Sequence, residues 1–169
     1  PDFNVDAACQ VAHALSVHGS EPDFDYYTAV DDVVRSSDDS TGAGMIGTIE
    51  MAASTFYRYA NINLDALNAN LGDASASVEA TLAFVRSFIN SMPTGKQNTF
   101  ANRTLPETIV ISVRDDQPVS LVGAVEEPVP EASGLGYIDR SVGVLAQYAE
   151  TIEKNYGLTP LSSFVVALK

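Results

Sequence analysis

From Cys9 to His18 the apolar residues fall largely on alternate positions, with Cys9, Val11, His13, Leu15 and Val17 on one side. That is the period of a strand. His13 is expected on the inner face, as a core or interface histidine. Gly19-Ser20-Glu21-Pro22 breaks the pattern. A second extended run, residues 45–63, is rich in β-branched and aromatic residues. It reads as a long strand, bulged near Ala52-Ala53 and paired with residues 9–18. Residues 21–44 are then an excursion from a two-stranded ribbon. They hold an apolar cluster (Phe24, Tyr26, Tyr27, Ala29, Val30, Val33, Val34) and end in a Ser-, Asp- and Gly-rich stretch over 36–44 that reads as flexible and solvated.

Downstream the period lengthens. Leu64 to Leu71 predicts a short helix closed by Gly72. Ser75 or Ser77 is expected to cap a second helix, in which Val78, Leu82, Val85, Ile89 and Met92 share one face before Pro93-Thr94-Gly95 ends it. Residues 96–106 read as a polar loop and 108–114 as a strand. Asp115-Asp116-Gln117-Pro118 is a turn. Residues 119–125 suit a return strand or a short helical turn. Residues 135–156 are helical, with Ile138, Val142, Leu145, Ala149, Ile152 and Tyr156 on one face and Gly157 as terminator, and 162–168 form a last strand. The order strand, insertion, strand, helix, strand, helix, strand is an α+β pattern. It is read as one domain fragment over residues 1–169, a partial ferredoxin-like or RNA-recognition fold that lacks its first elements.

Charge complicates any nucleic-acid reading. The chain of 169 residues carries 22 acidic and nine basic side chains, a net −13, whereas phosphate binding depends on Lys and Arg. Seven acids lie within 21–44. The balance reverses locally over 96–114, where Lys96 and Arg103, with Arg114 beyond them, face only Glu107. No run of 18 apolar residues predicts a membrane span. The single Cys9 excludes an internal disulfide and a multi-cysteine zinc site, and suits a reducing, cytoplasmic setting.

Other motifs carry little chemistry. Gly42-Ala43-Gly44-Met45-Ile46-Gly47 has the spacing of a dinucleotide fingerprint, but an acidic loop precedes it and an extended segment follows it. Asp31-Asp32 and Asp38-Asp39 lack the spaced ligands of a metal loop. No nucleophile elbow accompanies His13. The sequon Asn102-Arg103-Thr104 has no secretory signal beside it. Neither a cofactor nor a metal nor a catalytic group is expected. Tyr26-Tyr27-Thr28 is the exception. Two adjacent aromatics on an acidic excursion either pack back on the body or meet a partner, and a stack on a nucleobase is worth about 1–3 kcal/mol.

Three blocks resemble a known family. They are Asp25-Tyr26-Tyr27-Thr28-Ala29-Val30-Asp31-Asp32, Phe56-Tyr57-Arg58-Tyr59-Ala60-Asn61-Ile62-Asn63-Leu64 and Gly95-Lys96-Gln97-Asn98-Thr99-Phe100-Ala101. In order and spacing they are similar to the backbone subunit of the type I-E CRISPR surveillance complex, Cascade, in its C-terminal half. The resemblance implies an RNA-recognition palm with a thumb hairpin inserted at residues 20–45. It also implies copies assembled side by side along the CRISPR guide RNA, contact with other Cascade subunits, and target DNA met through the guide. Tyr26 and Tyr27, with Thr28 beside them, then become the residues that wedge between guide bases, and Lys96 and Arg103 become candidate phosphate contacts. The family's basic N-terminal half has no counterpart here, which reconciles the net charge with an RNA partner. Two other readings stay open: a repeat-processing ribonuclease of related fold, and an acidic protein-interaction domain.

Overall fold

A computed structural model describes residues 4–29 and 45–168. Val30 to Gly44, with the paired aspartates and most of the glycine motif, lie outside the described residues, as does the expectation for 36–44.

The first half is one antiparallel ribbon built from two long chain segments. At its inner end β1 (Cys9–Val11) pairs with β6 (Ala60–Ile62), placing Cys9 opposite Ile62. Next, β2 (Leu15–Ser16) pairs with β5 (Phe56–Tyr57). At the outer end β3 (Asp23–Ala29) pairs with β4 (Met45–Met51) over seven residues each. The expected pairing of 9–18 with 45–63 is therefore present, and the pairing continues into the excursion.

The register slips twice. Three residues separate Val11 from Leu15, against two between Tyr57 and Ala60. Six separate Ser16 from Asp23, against four between Met51 and Phe56. The extra residues lie on the first segment, not at Ala52-Ala53, where the sequence reading put the bulge. An extra residue turns the following side chains to the other face. His13 is exposed rather than on an inner face, while Val17 is 2% exposed.

The helices follow their caps. Asn63 Oδ1 accepts the Ala66 N–H at 2.9 Å to start α1 (Leu64–Leu71), and Gly72 ends it at φ 65°. Asp73, not a serine, starts α2 (Ala74–Asn90), accepting the Ser75 and Ala76 N–H groups at 2.7 and 3.1 Å. Aspartate caps as well as serine does, and Ser77 is instead buried within α2, donating to the Asp73 carbonyl. Val85 and Ile89 on α2, and Met92 just beyond its end, are half-buried, but Val78 is 61% exposed and Leu82 is exposed too. A one-turn helix α3 (Gln97–Phe100) stands in the polar loop.

Strand β7 (Thr108–Val113) pairs not with 119–125 but with β8 (Ser162–Ala167). Residues Val122–Val125 form a 3-10 turn instead. Tyr57 binds it from below, its hydroxyl accepting the Leu121 N–H at 2.9 Å. The Tyr148 hydroxyl of α4 (Tyr137–Tyr156) lies where a side chain at Gly123 would be. Buried apolar residues gather here: Val17, Ala124, Val125 and Val129, with Val129 N–H bonded to the Val17 carbonyl at 2.9 Å. The architecture is α+β, with the sheet divided into antiparallel pairs. The β7–β8 pair exposes Val110, Phe164, Val165 and Val166, which are apolar residues on both of its faces.

Candidate nucleic-acid interface

The β3–β4 ribbon carries the aromatic motif, and its register decides where each ring goes. Residues paired across an antiparallel ladder share a face, and neighbours along a strand alternate. Phe24 faces Glu50, Tyr26 faces Thr48 and Thr28 faces Ile46 on one side. Asp25 faces Ile49 and Tyr27 faces Gly47 on the other. Tyr26 and Tyr27 thus leave the ribbon in opposite directions. The two rings therefore do not share one face of the ribbon.

Their environments differ as well. Tyr26 is 72% exposed in a row with exposed Phe24 and Ile46. Tyr27 is 42% exposed, and its ring lies across Gly47 so closely that a Cβ there would overlap it. Glycine in a strand leaves a gap over bare backbone, and a cross-strand aromatic covers it. Tyr26 is the ring free to stack. Thr28 is exposed beside it and offers a hydroxyl.

The described ribbon holds Asp23, Asp25 and Glu50 and no basic residue. Its described residues therefore offer an aromatic ring but no cation for a phosphate.

Lys96 and Arg103 each contact the α3 turn. Lys96 starts the turn at φ 52°, and its ammonium sits 5.6 Å from the Phe100 ring centre. Arg103 Nη2 donates to Gln97 Oε1 at 3.2 Å. Both are exposed, with charges that no carboxylate neutralises among the described ion pairs. Among the described residues no hydrogen bond or ion pair joins this turn to β3–β4.

Arg114 is occupied elsewhere. It grips Asp116 through Nε and Nη2 at 2.8 and 2.9 Å, and Nη2 also donates to the Leu158 carbonyl at 2.6 Å. The Arg114 bond, with help from the Gln117 N–H, lowers the Asp116 pKa to about 2. The same bond raises that of Arg114. The pair fastens the turn after β7 to the chain leaving α4.

Sequence reasoning passed over Arg58 and His18. Arg58 sits 4.3 Å above the Phe88 ring and donates to the Ser91 carbonyl at 3.1 Å and its hydroxyl at 3.3 Å. It clamps the β5–β6 turn to the end of α2. His18 bonds through both ring nitrogens at the foot of the ribbon. Neither pattern has a sequence signal, because Phe88 and Ser91 lie about thirty positions from Arg58 and Thr55 lies 37 from His18. Among the described residues no group of three His, Cys, Asp or Glu could hold a metal, and no helix is long and apolar enough to cross a membrane.

The family model described as CT1975-like protein matches residues 1–169. Among solved structures, one chain of a "CRISPR RNA-guided surveillance complex" is 37% identical with a TM-score of 0.89. The match covers all of the present chain and 63% of that one. A second, from a "CRISPR RNA-guided surveillance complex, pre-nicking", is 37% identical with a TM-score of 0.86, over all of this chain and 45% of that one. The chain thus spans less than two thirds of either. The comparison with curated proteins returned no match.

Proposed function

The chain belongs to the CT1975-like protein family, and on that premise we propose that it is part of a guide-RNA-binding backbone subunit of a Cascade-type CRISPR surveillance complex. The observation that carries the reading is the full-length likeness, at 37% identity, to a chain of an RNA-guided surveillance complex. An exposed tyrosine on a projecting ribbon adds to it. In this reading several copies stand side by side along the guide and contact the other subunits of the complex. The β3–β4 ribbon is the thumb, and Tyr26 displaces a base from the stack at intervals. The bases between remain free to pair with target DNA. Lys96 and Arg103 meet guide phosphates.

The role proposed is structural rather than catalytic. General acid or base work usually needs a histidine or lysine poised at the substrate. His13 is exposed, away from Lys96 and Arg103 in sequence, and both nitrogens of His18 are engaged by backbone.

The test is reconstitution of the natural full-length protein with a guide RNA. Native mass spectrometry is expected to find several copies on one guide, with the guide uncut. Binding of a single copy, or none, counts against the backbone role. Cleavage of a CRISPR repeat by the protein alone would make it a processing ribonuclease instead.

A further inference from the structure

The foot of the ribbon is held by one imidazole. The Thr55 N–H donates to Nε2 of His18 at 3.1 Å. A backbone N–H is always the donor, so Nε2 carries no proton. The ring proton then sits on Nδ1 and is donated to the Gly19 carbonyl at 2.6 Å. The ring also stacks on Tyr137 at the start of α4, with centroids 3.8 Å apart and planes inclined by 16°. The preceding residue, Val17, donates to the Thr55 carbonyl and accepts from Val129. Just beyond, Ser20 Oγ donates to the Ala53 carbonyl at 2.9 Å. His18 therefore joins both ribbon segments to α4 where the register slips and β3–β4 begins.

We propose that His18 is a positioning residue for the ribbon: its neutral, Nδ1-protonated ring fixes the root of β3–β4, and protonation at Nε2 releases it. An imidazolium bears N–H groups on both nitrogens. The Thr55 N–H would then face another donor, while the bond to Gly19 would persist. The charged surroundings are mixed. Helix α4 presents the Tyr137 phenol and the Arg140 guanidinium, 4.8 Å above the same tyrosine ring. The cleft beside them includes Glu131. The linker bonded to Val17 carries Glu126 and Glu127, both exposed. The β4–β5 segment contributes backbone at Thr55. Acidification is what adds that second ring proton, so release accompanies a fall in pH. The consequence for RNA rests on the proposed role of the ribbon.

Two measurements on the full-length protein separate the inference from that reading. One is amide hydrogen exchange at Thr55 and the other is guide-RNA affinity, each at about pH 7.5 and about pH 5.5. They are made on the wild type, His18→Gln and His13→Gln. Glutamine keeps an acceptor towards Thr55 without titrating. Thr55 protection, corrected for intrinsic exchange, is expected to fall about tenfold on acidification, the size of one lost hydrogen bond. The fall should appear in the wild type and His13→Gln but not in His18→Gln, and guide affinity should follow it. Equal wild-type protection at both pH values overturns the proposal. So does nitrogen NMR showing the His18 proton on Nε2 at the higher pH, whether or not any variant folds. Protection that responds while affinity does not supports the pin and overturns the ribbon's part in RNA binding.

Discussion

The ring of Tyr27 lies across Gly47, its partner in the β3–β4 register, while Tyr26 projects from the opposite face. Two neighbouring tyrosines therefore do different work. Tyr26→Ala is expected to weaken guide binding by about 1–3 kcal/mol, roughly 5- to 150-fold, through a lost stack, with no change in melting temperature. Tyr27→Ala is expected to cost the ribbon about 0.2–1 kcal/mol of cross-strand packing and to affect RNA only through that. Fluorescence polarisation with a labelled guide, alongside thermal melts, checks the division. Equal losses of affinity in the two variants would contradict it.

Lys96 and Arg103 are expected to contribute charge rather than recognition. Lys96 has a positive φ, so Lys96→Gly removes the charge from a conformation that glycine adopts easily and should not destabilise the turn. If Lys96 meets a phosphate, the slope of log affinity against log salt should shrink by about 0.7, the single-strand value per contact. Arg103→Gln should do the same. Titrations at several salt concentrations read the slope, and an unchanged slope removes the residue from the interface.

Arg58 is expected to matter for stability. Arg58→Ala loses the Phe88 contact and two hydrogen bonds to Ser91, together about 1–2 kcal/mol at a mostly exposed site. Lysine cannot reproduce the fork, so Arg58→Lys should recover less than half. Urea unfolding gives the values, and full recovery by lysine would show that only charge is needed.

The Arg114–Asp116 pair predicts an acid limb. The folded Asp116 value of about 2 lies below the ordinary 3.8. A lowered carboxylate value stabilises the fold above the unfolded value and ceases to do so as pH falls through the folded one. The wild type should therefore lose melting temperature between about pH 4 and pH 2 more steeply than Asp116→Asn, which is already without the ionised partner. Melts followed by circular dichroism across that range decide it, and parallel curves would show the pair to be inert.

Much of the scaffold could be read from the chain. Gly72 and Gly157 closed the helices they were expected to close, both at positive φ, because a left-handed terminus favours glycine. The pairing of 9–18 with 45–63 followed from two extended runs. The opposite faces of Tyr26 and Tyr27 would have followed from strand alternation alone, had 23–29 been read as a strand. Its acidic residues made it resemble a loop, but they sit on an exposed ribbon where charge costs little. The register slips were not legible, since an unpaired residue on one strand depends on what the other strand can pair with. Nor was the exposure of Val78 and Leu82, because periodicity identifies an apolar face without saying what covers it.

Among its described residues the ribbon carries no cation, and this has a kinetic meaning. The described surface, with Asp23, Asp25 and Glu50 beside an exposed ring, does little to attract a polyanion from a distance. It acts, on the proposed reading, on a strand that another surface has delivered. On the proposed reading, capture and wedging are then successive events, and the ribbon governs how long the guide stays rather than how fast it arrives. Tyr26→Ala would raise the dissociation rate and leave the association rate nearly as it was, whereas loss of Lys96 or Arg103 would slow arrival, most visibly at low salt.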